Sequence, residues 1–371
     1  MNSRERIHGL DTLRAAAILA VLLSHYPKPE KELVSRALNF GWTGVDLFFV
    51  LSGFLIGGQL FKDLAAGETI SLKAFYLRRF LRTLPAYYVV LGIYFWLSPA
   101  PGWRYAVFAQ NFELLHTFQP SWSLCVEEQF YVGFPVLILL LRRVRISPLV
   151  IPFAGAICLI LRVVNWASFR PDLLAEPFAE KSYLIHIYCP TYCRLDGIAF
   201  GVGLAGFKYL RPRMWAGLMR HGDALFTSGL TLLTLSLFVF WRHYSFLRST
   251  IGFLLLAVSF GLLTASAVSQ TGFLARYKIP GTRTVATLAY SLYLTHSLAL
   301  MAIEKLLPAS GWAVRLATAI ALMALSSTLL YFLVEAPMLA YRDRLLRRFK
   351  TNRETKAGER EKLVEAASNA L

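Results

Sequence analysis

Charged residues are what this sequence has least of: they make up 16% of 371 residues, where a soluble domain carries about a quarter. Cysteine is scarce too, with only four, which excludes a disulfide-dense secreted scaffold. Cys158 falls inside an apolar run and reads as a small core residue. Cys125, Cys189 and Cys193 fall near the non-cytoplasmic ends of such runs, where spacing alone fixes no pairing. His186, Cys189 and Cys193 imitate metal spacing but fit a structural zinc pattern poorly, so no metal site is expected. An internal repeat of the kind many secondary transporters carry is also lacking. So is a signal-peptide cleavage site, because the first apolar stretch carries Arg14 and ends in His25, Tyr26 and Pro27.

Apolar residues fill the gap, at 56% of the chain, and they are blocked into long runs. A span needs roughly 20 largely apolar residues. About ten runs qualify, starting near Leu10, Gly44, Leu84, Phe130, Leu149, Arg194, Ala224, Ile251, Val285 and Val314. The expected fold class is therefore all-α, a polytopic transmembrane helical bundle. Trp103 to Phe112 and Ile185 to Tyr192 are apolar but too brief to span, and fit interfacial or re-entrant segments. The expected division is a membrane domain over residues 1–341 and a basic tail over 342–371. That tail is charged and nearly free of aromatics, and reads as a frayed or disordered helix.

The net charge of +17 does not point to nucleic acid, because its distribution follows topology. Alternate connections hold most of the Lys and Arg, among them Lys62 to Arg82, Arg142 to Arg145, Lys208 to Arg220 and the tail from Arg342. The intervening ones are poor in both, except for Lys28, Lys31 and Arg36, which Glu30 and Glu32 partly offset. The positive-inside rule then puts both termini in the cytoplasm, as an even number of spans requires.

Ionisable residues inside spans are costly and mark pathways or sites. Arg14 and His25 are eleven residues apart, which returns a helix to within about 20° of one face, roughly 16 Å further along. Both then look into one groove, with Asp11 placed to hold the Arg14 guanidinium. A guanidinium suits phosphate, and a neutral imidazole suits taking a proton from a hydroxyl. The plainer reading is that Arg14 snorkels and His25 only ends the helix. Arg78, Arg79 and Arg82 fit a phosphate clamp, or ordinary cytoplasmic charge. Glu127 and Glu128, in Trp122-Ser123-Leu124-Cys125-Val126-Glu127-Glu128-Gln129-Phe130-Tyr131, fit groups that orient an imidazole or bind sugar hydroxyls, or solvated acids. Asp46 needs a partner or a headgroup. Arg194 and Asp196 read as a structural pair. Tyr290, Tyr293 and His296 form a polar stripe of the kind that seams helices together.

Taken in order, these segments resemble the acyltransferase-3 family of membrane acyltransferases. Arg14 to His25 matches its Arg-x10-His signature, and Arg79 with Arg82 its Arg-x-x-Arg motif. Gly44 through Ile56, Trp122 through Tyr131, Tyr290 through His296 and Glu335-Ala336-Pro337 match further marks, over about residues 5 to 340. The resemblance implies ten spans, cytoplasmic termini and a multi-pass protein of the bacterial inner membrane. It implies acyl-CoA, most simply acetyl-CoA, as donor substrate with no permanently bound cofactor, and a carbohydrate or glycolipid acceptor. His25 then is the base, with Glu127 or Glu128 orienting it. Arg14, Arg78, Arg79 and Arg82 hold the donor's phosphates. A covalent acyl-histidine stays open as a variant. Some relatives carry a fused C-terminal hydrolase-like domain, and the end at Leu371 places this chain with the stand-alone type. A proton-coupled transporter or flippase of a sugar or lipid precursor is the alternative function, since it too would use an intramembrane His and Arg.

The charge asymmetry makes one prediction. With single cysteines at Ser71 and Ser98 in a cysteine-free background, an impermeant thiol reagent added outside is expected to label only the Ser98 site. Labelling at Ser71 would invert the orientation.

Overall fold

In lipid, apolar runs can satisfy their own backbone groups as helices. The described residues form helices and no strand. The structure, a computed structural model, describes residues 7–26, 32–97, 102–113, 118–144, 147–170, 179–241 and 245–349. Ser98, Lys28, Lys31, Arg145 and the tail beyond Phe349 fall outside them. The long helices are α1 (His8–His25), α2 (Gly44–Ala65), α3 (Leu72–Leu97), α4 (Trp122–Arg143) and α5 (Ala154–Ser168). They continue with α6 (Thr191–Leu210), α7 (Gly222–Phe240), α8 (Phe253–Val268), α9 (Thr282–Leu306) and α10 (Trp312–Leu330).

Eight helical segments among the described residues are long and apolar enough to cross a membrane. About ten were expected. The two that fall short are α1, which carries Asp11 and Arg14, and α6, which carries Arg194, Asp196 and Lys208. Their lengths still suffice, at 18 and 20 residues, or about 27 and 30 Å of helix. Their charge is tolerable because both are enclosed by protein: α1 packs on α9, α2 and α8, and α6 packs on α2, α5 and α8. The segments bearing α2 and α8 are 72% and 67% buried over their apolar windows. Those bearing α5, α7 and α10 are only 22–24% buried, so they form the lipid-facing wall. The last helix relaxes into a π turn at Tyr331–Glu335, just before Pro337, which cannot donate to the preceding turn. It continues to Phe349, so the first turns of the expected tail are helical.

The two short apolar stretches are anchored to the bundle by a few buried residues, while Trp103, Val107 and Phe112 stay exposed. Gln110 and Asn111 are buried. The Gln110 amide donates to the Tyr87 and Ser121 hydroxyls, and the Asn111 amide donates to Thr191 Oγ1 and the Cys189 carbonyl. Ile187, in a π turn over Leu184–Tyr188, is also buried.

The tightest joint is between α2 and α6. Gly53 and Gly57 of α2 lie against Ile198, Val202 and Ala205 of α6, and Gly197 and Gly201 of α6 lie against Phe49, Val50 and Phe54 of α2. The glycines are small enough to let the backbones touch. A Cβ at Gly53 would sit 2.0 Å from the Ile198 carbonyl oxygen, and one at Gly201 2.1 Å from that of Val50. One end of this joint carries Asp46 and Arg194, paired at 2.6 Å, and Asp196 pairs with Arg162 of α5 at 2.8 Å. Arg194 and Asp196 thus pair outward to two other helices and not with each other, because neighbours two apart on a helix point to different sides. Asp46 finds its partner in protein and not among headgroups. The Arg194 guanidinium also lies 4.1 Å over the Phe253 ring and 4.7 Å over Tyr188, which favours a desolvated cation.

Asp46→Ala should therefore destabilise the protein by about 3–5 kcal/mol, the cost of leaving a buried charge uncompensated. Adding Arg194→Met in the same chain should recover most of it. Thermal unfolding in detergent reads both, and a double variant no more stable than the single one would contradict the assignment.

Candidate active site

Two cavities meet at one wall. The first, of about 530 Å³, is lined by Arg14 of α1, Lys62 of α2, Arg78, Arg79 and Arg82 of α3 and Lys208 of α6. The second, of about 340 Å³, holds His25 together with Trp42, Trp122, Tyr188, Glu113 and Glu180. Val45 and Tyr293 line both. Arg14 and His25 do share one helix, as their spacing requires. They open, however, into separate cavities and not into one continuous groove.

In the first cavity, Arg14 donates to Asp11 at 3.0 Å, the i,i+3 pair that the sequence suggests. Arg79 donates to the Gln59 side chain at 3.2 Å and lies 5.5 Å over the Tyr131 ring. Pro85 sits within α3, and beside it the Tyr290 hydroxyl donates to the Thr83 carbonyl at 2.8 Å. This bond ties α9 to the turn that carries Arg82. Glu127 and Glu128 line this cavity too. Glu127 accepts from the Ser52 hydroxyl at 3.0 Å and from the Tyr131 hydroxyl at 2.5 Å. Both carboxylates therefore face the arginines, while His25 stands on the far side of the wall. Helix geometry explains the separation. Ser123 touches the wall, and Glu127, one turn later, lies about 6 Å further along α4.

On the other side, His25 Nδ1 is 2.9 Å from the Val21 carbonyl. A carbonyl only accepts, so this bond puts the proton on Nδ1 and the lone pair on Nε2. The ring meets that of His296 edge-on, centroids 4.9 Å apart and planes at 66°. His296 is fully buried. Its Nδ1 donates to the Tyr293 carbonyl at 2.7 Å, and the Ser297 hydroxyl approaches Nε2 at 3.3 Å. The Tyr293 hydroxyl donates to the Pro120 carbonyl at 2.6 Å and so accepts from Ser123 at 2.5 Å. The stripe of Tyr290, Tyr293 and His296 is thus a helix seam, as its spacing suggests, and it also forms the wall and the surface behind His25. Its i, i+3, i+6 spacing was a sufficient signal for one continuous face. It carried no information about what that face would meet.

The remaining candidates are structural. All four cysteines are free and buried. His186 stacks on Phe169 with ring centroids 3.6 Å apart, and the Cys193 thiol bonds the His186 carbonyl. Arg162, which the sequence reading passed over, donates to the Cys193 carbonyl as well as pairing with Asp196.

With this geometry in view, residues 7–334 match the family model described as acyltransferase domain. The peptidoglycan O-acetyltransferase OatA of Listeria monocytogenes is 26% identical over 331 residues, covering 79% of this chain and 49% of that protein. The O-acetyltransferase OatA of Staphylococcus aureus is 32% identical over 171 residues, covering 39% of this chain and 27% of that protein. The chain thus spans less than half the length of these relatives. No solved structure matches it. The match across nearly the whole chain is decisive for the family: this protein belongs to the acyltransferase 3 family.

Proposed function

We propose that the protein is an O-acyltransferase that moves an acetyl group from cytoplasmic acetyl-CoA to a hydroxyl of a carbohydrate on the other side of the membrane. The observation that carries this reading is the pairing of two unlike cavities across one wall. The first is ringed by cations and suits the phosphates of a nucleotide thioester, which guanidinium groups bind through charge-assisted, bidentate bonds. The second presents an imidazole with its lone pair on Nε2, among aromatic rings and side-chain amides, and suits a sugar alcohol. The positive-inside pattern supports a cytoplasmic opening for the first cavity, and in this reading the multi-pass protein lies in the inner membrane. The relative named for peptidoglycan brings cell-wall polymers in among the acceptors.

In this mechanism Arg79 and Arg82, with Arg78 and Arg14, hold the donor's phosphates, and the thioester arm extends toward the wall at Tyr293. His25 Nε2 takes the proton of the acceptor hydroxyl as its oxygen attacks the thioester carbonyl. The carbon–sulfur bond then breaks, and the thiolate recovers the proton from the imidazolium, giving CoA and an ester. Glu127, bonded to Ser52 and Tyr131, sets the charge around the arginines and does not orient His25.

Replacing Arg79 and Arg82 together by Ala should weaken acetyl-CoA binding by about tenfold or more, since hydrogen bonds to charged groups contribute roughly 1.5–3 kcal/mol each. His25→Ala should abolish transfer and leave that affinity unchanged. Calorimetry with acetyl-CoA, and release of CoA in the presence of envelope glycan, measure the two. Unaltered affinity would return the arginines to a topological role, and unaltered transfer would remove His25 from the chemistry.

A further inference from the structure

We infer that His296 is a positioning residue for His25: its buried neutral imidazole, packed against the His25 ring, limits the orientation of the proposed base. This rests on the O-acyltransferase reading above. Catalytic histidines commonly depend on a second group that sets their tautomer and angle, and here that work is divided. The Val21 carbonyl fixes the tautomer, by accepting from Nδ1 at 2.9 Å. The His296 ring, 4.9 Å away and inclined at 66°, forms the surface that limits rotation about the His25 side-chain bonds. Glu127 and Glu128 line the other cavity.

His296 suits the task because its own orientation is over-determined. It is fully buried, it donates from Nδ1 to the Tyr293 carbonyl, and it accepts at Nε2 from Ser297. Those two bonds define a neutral ring that cannot flip without losing both. When His25 becomes an imidazolium, a neutral ring beside it adds no second positive charge to oppose it. The carbonyl that His296 bonds belongs to Tyr293, the residue lining both cavities. The wall and the proposed base are therefore referenced to the same turn of α9.

The test uses the purified full-length protein with acetyl-CoA as donor and envelope glycan from a strain lacking the gene as acceptor. His296→Ala should lower the rate of CoA release by up to about a hundredfold, the effect of an ångström-scale misplacement, with acetyl-CoA affinity unchanged. His296→Phe, which keeps a ring against His25, should restore more of the rate than His296→Asn, which keeps only the bond to the Tyr293 carbonyl. A second readout needs no turnover. Carbethoxylation of His25 by diethylpyrocarbonate, followed by mass spectrometry, should speed up in His296→Ala and not in His296→Phe. Wild-type turnover in His296→Ala would overturn the inference, as would an equal loss of donor affinity or a ranking of Asn above Phe. If the wild-type protein itself releases no CoA, the functional reading fails, and the carbethoxylation comparison still decides whether His296 holds His25.

Discussion

The close contact of α2 with α6 is the constraint from which the rest of the structure follows. Only glycines at Gly53 and Gly201 let these backbones meet, and only that distance lets Asp46 reach Arg194 at 2.6 Å. Without the pair, each charge would stand alone in a low-dielectric interior, a cost of several kcal/mol. With it, α6 can lie buried beside α2 although its own composition falls short of a spanning segment. Arg194 then rests against Phe253, Tyr188 and Trp122, two of which line the cavity that holds His25. The electrostatic joint thus supports the wall of the site without belonging to it.

Much of this was legible in the residues, and what was legible was local. Asp11 and Arg14 are three apart on one helix, so their pairing could be read from spacing. The Arg14 to His25 interval fixed a shared face for the same reason. The long apolar runs marked the helices, because lipid leaves few alternatives.

What could not be read depends on contacts between distant segments. The partners of Arg194 and Asp196 lie 148 and 34 positions away, and no periodicity encodes such a meeting. Arg162 drew no reading from the sequence, because its partner Asp196 is on another helix. Glu127 and Glu128 were natural guesses for the group orienting His25, being carboxylates near the same end of the bundle. One turn of α4 puts them across the wall. His296 was undervalued because a histidine within a seam usually serves the seam, and only the fold shows that its ring meets His25.

The wall at Val45 and Tyr293 has a further consequence, which concerns the membrane and not the reaction. Two cavities kept apart by two side chains, Val45 and Tyr293, would join into a water-filled passage if both moved aside. A membrane that stores energy as an ion gradient cannot tolerate a leak of that kind. The phenol of Tyr293, held by Pro120 and Ser123, closes the passage with a ring that excludes water and a hydroxyl whose proton is already committed. Tyr293, which lines both cavities, thus insulates one from the other, and the two bonds at its hydroxyl hold it there.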